Sequence, residues 1–229
     1  MLITSTQWRA AYPGASVGIL AMEGVANPAD CPGLSVRKAE VEARLRERYG
    51  QATREALKEL PEIAAYTAYY RRFKKTYHVL HQLESVAAGR PLPSGAALVE
   101  AMVIAELENM LLTAGHDLDT VELPLQVDVA QGTETYIHLS GAPQVLKPED
   151  MIIADSRGIL SSIIYGPDQR TRITAATRRV IFTVYAPVGI APHAVARHLD
   201  AIACNVRLIT PDARITHQEI ATAGQSAAT

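Results

Sequence analysis

Gly115-His116-Asp117-Leu118-Asp119 divides two textures of this chain: the residues before it read mainly as helices, those after it mainly as strands. The run 96–112 ahead of it has helical patterning, and Gly115 is free to take the positive φ that closes a helix. The His116 imidazole and the Asp117 and Asp119 carboxylates then fall on a tight connection. A second polar block, Tyr165-Gly166-Pro167-Asp168-Gln169-Arg170-Thr171-Arg172-Ile173-Thr174, follows a strand-like run at 159–165 that breaks at Gly166-Pro167. Polar loops mounted on rigid elements are where binding and chemistry usually sit.

Outward from the first block, helical patterns run over 35–49, 53–60, 62–73 and 78–88, with Ser35 as N-cap of the first and Gly50 as its stop. A β-segment over 14–22 precedes them. Beyond Asp119, 123–129 and 133–139 alternate around Gln131-Gly132, which predicts a hairpin. Further strands are expected at 152–154, 159–165, 180–185 and 206–209, with a helix at 193–205. The reading is α+β: a helical N-terminal half packed on a mixed, mostly antiparallel sheet. It is one domain over 1–229, helix-rich at 1–114, strand-rich at 115–209 and frayed from Ala221 onward.

With 229 residues, 48% hydrophobic and 20% charged, the chain can bury a substantial core. Its apolar runs are interrupted too soon for a membrane span, and the first residues lack a signal-peptide pattern, so a cytoplasmic protein with no membrane partner is expected. Cys31 and Cys204 stand apart from any metal-like spacing and read as inert packing residues. A net charge of -2 argues against general coating of nucleic acid, and no DNA partner is expected. A local RNA footprint remains open. In Tyr69-Tyr70-Arg71-Arg72-Phe73-Lys74-Lys75-Thr76-Tyr77, rings interleave with cations, a pattern able to stack bases and meet phosphates. The alternative is that these tyrosines are core.

The order Leu98-Val99-Glu100, Gly115-His116-Asp117-Leu118-Asp119, Asp155-Ser156-Arg157-Gly158, and Arg170-Thr171-Arg172-Ile173-Thr174 with Thr177 resembles the editing domain of the phenylalanyl-tRNA synthetase β-subunit in its freestanding form. The resemblance implies an aminoacyl-tRNA deacylase that acts in trans on mischarged tRNA and needs no cofactor. Departures from the synthetase pattern at Asp119 and Thr183, where that pocket carries histidine and glutamate, and at Val103 and Glu106, imply a different edited side chain. The Thr113-to-Asp117 and Tyr165-to-Asp168 versions are most similar to editors that clear canavanine from arginine tRNA.

Ester hydrolysis needs a positioned water, oxyanion donors and an orienting pocket. Candidate catalytic residues are His116, Asp117, Asp119, Gly166, Thr171 and Thr177. The aspartates either orient water or the substrate ammonium, or cap turns, and His116 is either catalytic or structural. Candidate substrate-binding residues are Glu106, Asn109, Thr113, Gly115, Tyr165 and Asp168. Glu106, Asn109 and Thr113 are spaced to share a helix face, where a carboxylate and an amide suit a guanidine-like group, whereas Glu108 suits a helix edge. Candidate tRNA contacts are Arg71, Arg72, Lys74, Lys75, Arg170 and Arg172, with internal pairing of Arg170 and Arg172 to Asp155 or Asp168 as the alternative. Two other classes compete with the deacylase. One is a non-catalytic tRNA-binding or synthetase-accessory module. The other is a metal-dependent hydrolase on His116, Asp117 and Asp119, which lacks a second histidine cluster.

Overall fold

Prolines mark the starts of three helices, because a proline in the first turn loses no intrahelical hydrogen bond and brings its φ already set. In a computed structural model that describes residues 1–224, Pro32, Pro61 and Pro192 each open a helix. The chain begins with β1 (Leu2–Thr4), α1 (Thr6–Ala11) and β2 (Ser16–Glu23). Helices α2 (Pro32–Tyr49), α3 (Arg54–Lys58), α4 (Pro61–Arg72), α5 (His78–Ala87) and α6 (Ala97–Asn109) follow. Next come β3 (Thr113–Asp117), a 3-10 turn (Leu118–Thr120), β4 (Leu125–Val129), β5 (Thr135–Ile137), β6 (Pro143–Val145), β7 (Met151–Asp155), β8 (Gly158–Ser162), β9 (Gly166–Pro167) and β10 (Arg179–Ala186). Helix α7 (Pro192–Ile209) and β11 (Arg214–Thr222) complete the described chain.

The α+β class holds, but the strands form two main sheets and a ribbon. One sheet has the order β1-β4-β7-β8-β9, antiparallel except where β1 meets β4; the other, β11-β2-β10-β3, is wholly antiparallel. Val17, Ile19, Leu20, Ala21 and Met22 are all buried along β2, as a central strand covered on both faces requires. Helix α7 lies against this sheet so closely that a Cβ on Gly18 would come within 2.6 Å of Val195. Val195, Leu199, Ile202 and Val206 form its buried stripe, so 206–209 continues the helix and is not the expected strand.

The expected strand 159–165 ends as β8 at Ser162, and Gly166–Pro167, expected as its break, is the short strand β9 paired back onto β8. Three other expectations change. Helix α2 starts at Pro32 with Cys31 as N-cap, ahead of Ser35. The hairpin between 123–129 and 133–139 does not form: β4 pairs with β1 and β7, and β5 pairs with β6. Glu134 holds the connection in another shape, its carboxylate accepting from the backbone N–H of Gln131, Gly132 and Thr133. Last, Ala221 and Thr222 belong to β11, and Ala223 exchanges hydrogen bonds with Gly14 and Ala15, so the chain is held at least through Ala223. The rest of the expected frayed tail, 225–229, lies outside the described residues. No described helix is long and apolar enough to cross a membrane.

Candidate functional site

Helix α6 ends earlier than its pattern suggests. Met110 takes a left-handed conformation (φ 58°) and turns the chain into β3, so Gly115 sits inside a strand and closes no helix. Glycine is needed there for space: a Cβ would come within 2.8 Å of Ile173 and 3.3 Å of Phe182. The turn also separates the three residues expected on one helix face. Thr113 lies in β3, and Asn109 points to α7, where its Nδ2 is 3.4 Å from Nδ1 of His198. Only Glu106 of the α6 pair enters the cleft described next. Glu108 instead pairs with Arg37 and Arg44, and Lys38 with Glu100, which ties those basic residues to α6.

A cleft of about 310 Å³ opens where α5, the end of α6, the start of β3 and the β8–β9 turn meet. Met102, Val103, Leu112, Ile164 and Pro167 give it apolar walls, and Glu106 is its only acidic lining residue. Glu106 is 4% exposed; its Oε2 accepts from the backbone N–H of Thr113 at 2.9 Å and its Oε1 faces Nε2 of His78 at 3.4 Å. Tyr165 and Gly166 form the opposite lip. Gly166 has φ +83°, and the space its absent Cβ would fill is open to at least 4 Å, so its backbone is uncovered on that side. Thus Glu106, Thr113, Tyr165 and Gly166 are brought together, and Asn109, Gly115 and Asp168 are not among the lining residues.

His116, Thr171 and Asp168 form a buried chain behind the cleft. Thr171 donates its hydroxyl proton and its backbone N–H to Asp168 Oδ1, so its oxygen accepts from His116 Nδ1 at 2.7 Å. That leaves Nε2 of His116 as the bare nitrogen, and it is buried without a partner. Burial, reinforced by the nearby Arg170 charge, lowers the His116 pKa to about 3. Burial raises that of Asp168, against the two Thr171 hydrogen bonds and Arg170. A base that weak is poorly matched to proton abstraction near neutrality. Alternate residues of a strand share a face, so His116 lies on the same side of β3 as cleft-lining Ala114, one residue pair along.

Asp117 and Asp119 hold the connection itself. Asp117 accepts from the Thr177 hydroxyl at 2.6 Å and from the Asp119 N–H at 3.1 Å, and the Asp119 side chain meets Arg179 at the surface. Among the described residues, no group of three or more His, Cys, Asp or Glu is arranged to hold a metal ion.

The tyrosine-rich segment is core. Tyr69, Tyr70, Phe73 and Tyr77 are buried, and Tyr77 stacks on Tyr66 at 4.3 Å, so their rings do not offer a base-stacking face. The cations between them divide. Arg71, Arg72, Lys74 and Lys75 are all exposed, but Arg72 pairs with Glu149 and lies over Tyr12, and the Lys75 ammonium is 5.4 Å from the Tyr165 ring at the cleft lip. Arg170 is committed inward: it grips Asp155 through two nitrogens and also contacts Asp168 and the carbonyl of Thr120, which removes it from the expected tRNA contacts. Arg172 is exposed beside an open groove with Asp117 and Gln169. Of the two cysteines, Cys31 is buried and Cys204 is exposed, against the expectation that both pack inside.

Sequence reading missed His78, Gln82 and Asp150. His78 and Gln82 stand four apart on α5 and face the cleft, but their spacing is equally that of a solvated helix face. Asp150 is fully buried behind the Ile163–Ile164 wall, bonded to the Tyr69 hydroxyl at 2.8 Å and the Ile164 N–H at 3.4 Å; burial raises its pKa to about 7.

Residues 73–209, more than half of the chain and including every residue of the cleft except Tyr70, match the family described as B3/4 domain. The chain belongs to the B3/4 domain family. The fold of this B3/4 protein is similar to that of an N-terminal fragment of the phenylalanyl-tRNA synthetase beta-subunit from Pyrococcus horikoshii, with a TM-score of 0.50 and 15% identity over 96% of this chain. The B3/4 chain covers 50% of that structure, and a likeness at this identity concerns the fold. No curated protein sequence is significantly similar to it.

Proposed function

We propose that this B3/4 protein is a trans-editing deacylase that hydrolyses the aminoacyl ester of mischarged tRNA, with the amino-acid side chain in the cleft and an arginine-like residue, canavanine in particular, as its substrate. One observation carries the specificity: a single buried carboxylate, Glu106, on an otherwise largely apolar lining. A buried carboxylate favours a cationic or donor-rich ligand and disfavours a phenyl ring. The apolar walls suit the methylene stem of such a side chain.

We assign the ester to the Tyr165–Gly166 lip, where the missing side chain of Gly166 leaves room for it to approach, while the Tyr165 N–H is held by Ser162 Oγ and Gly166 pairs with Ser162. An aminoacyl ester is already activated, so positioning is the contribution asked of the protein, and His116 acts as a positioning residue that braces β3 beside Ala114. Asp117, Asp119, Thr171 and Thr177 shape the loops around it. Arg71, Lys74 and Lys75 supply a local, salt-sensitive contact to the tRNA backbone.

A panel of mischarged tRNAs, incubated with the protein without added metal or nucleotide, tests this reading through release of free amino acid. Accelerated release of canavanine is expected. Binding of tRNA with no accelerated release from any charged species would favour a non-catalytic accessory module instead.

A further inference from the structure

A residue that lines the cleft carries a second acceptor that the fold leaves unused. Gln82 Oε1 is buried and has no hydrogen-bond partner, although unsatisfied buried oxygens are rare in folded proteins. Gln82 sits one helical turn after His78 on α5, and both line the same cleft as Glu106. Glu106 Oε1 is also only weakly engaged, facing His78 Nε2 at 3.4 Å, while its other oxygen is taken by Thr113. Glu106 and Gln82 thus line one space from two different helices, and the Gln82 amide, whose oxygen no donor of the fold holds, can turn that oxygen toward a ligand there. The complementary ligand is rich in N–H donors and able to direct them two ways.

We infer that Gln82 is a specificity-determining residue that accepts from a guanidine-type side chain held at the same time by Glu106. This rests on the cleft being the substrate site, and it adds Gln82 as the reader of the second edge of the ligand. A planar guanidine presents N–H groups along separate edges, which an ammonium, with one donating centre, does not. An apolar side chain would leave both oxygens unpaired.

The test is binding of amino-acid amides, which does not depend on hydrolysis. NMR titrations would compare L-canavaninamide, L-argininamide and L-norleucinamide against the wild type, Gln82→Leu and Gln82→Glu. The wild type is expected to prefer the two guanidine-type amides. Gln82→Leu should weaken them about tenfold or more and leave norleucinamide unchanged, while Gln82→Glu, which keeps an acceptor, should retain them. Because Gln82 Oε1 bonds nothing in the fold, Gln82→Leu should melt no lower than wild type.

Failure of the wild type to prefer guanidine amides, or equal loss of all three amides in Gln82→Leu, would overturn the assignment. The two readings fail separately. Amide binding that follows this pattern beside no tRNA hydrolysis leaves Gln82 in place and removes the deacylase; hydrolysis of an apolar aminoacyl-tRNA untouched by Gln82→Leu does the reverse.

Discussion

Glu106 accepts the backbone N–H of Thr113 at 2.9 Å and so binds the last turn of α6 to the first residue of β3. The same carboxylate therefore has one oxygen that ties the fold together and another that faces His78 Nε2 at 3.4 Å on the cleft side. Glu106→Gln can keep an oxygen for Thr113, so it should fold with a melting temperature close to wild type. Glu106→Ala leaves a buried N–H unpaired and should cost about 1–3 kcal/mol, read by thermal or denaturant unfolding. Equal stability of the two variants would remove the structural half of this assignment.

Arg170 and Arg172 stand two apart but should behave differently. Arg170→Ala strips Asp155 and Asp168 of their cation and should lower stability by about 3 kcal/mol, the range for breaking a largely buried pair. Arg172→Ala should leave unfolding unchanged. Denaturant melts of both variants decide this, and a destabilised Arg172→Ala beside an unaffected Arg170→Ala would reverse the two roles.

Three buried groups pull stability in opposite directions with pH, Asp150 one way and two histidines the other. Asp150 has a folded pKa of about 7 against an ordinary 3.8, so its contribution is full below about 3.8 and is lost as pH rises through 7. His116 and His198, both lowered by burial to about 3 from 6.5, contribute fully above 6.5 and lose that contribution as pH falls. Asp150→Asn should accordingly melt higher than wild type at pH 8, with the advantage shrinking toward pH 5. A constant difference across that range would contradict a buried, proton-binding Asp150. Independently, the His116 ring proton shift in NMR should stay flat between pH 8 and pH 5.

Charge reversal of Arg71, Lys74 and Lys75 to glutamate should weaken tRNA binding and flatten its salt dependence, with a loss of stability limited to about 0.5–1 kcal/mol from the Lys75 ammonium over Tyr165. Arg72→Glu differs, because it sets a carboxylate beside Glu149 and removes the cation over Tyr12, and it should lower the melting temperature. Filter binding at two salt concentrations, with melts alongside, separates the two sets. Unchanged affinity in the triple variant would take that patch out of the tRNA contact.

Much of the fold was legible because local rules decide it: Gly50 follows the end of α2, Thr53 caps α3, and the apolar runs of β2 and β10 are central strands. What escaped depends on tertiary contact. Residues 206–209 have strand-like composition but extend the buried stripe of α7, and Glu134 holds a connection through three hydrogen bonds that no periodicity reveals. At the candidate site, Glu106 stood out as a departure from the synthetase pattern. Gln82 and His78 did not, because a polar residue on an amphipathic helix looks alike whether it meets solvent or a cleft. Asp168 and Arg170 were visible as charges, with internal pairing as one of two readings, and the fold decides for the internal pair.

The central claim is that Glu106 reads a guanidine-type side chain on an ester-linked tRNA. Single-turnover deacylation of canavanyl-, arginyl- and tyrosyl-tRNA by wild type and Glu106→Gln tests it most directly. The account predicts that the wild type clears canavanyl-tRNA ahead of the other two, and that the variant, still folded, loses about tenfold or more on that substrate, the loss expected when a charged hydrogen-bond partner of about 1.5–3 kcal/mol is removed. Rapid wild-type hydrolysis of tyrosyl-tRNA with canavanyl-tRNA left intact would contradict it.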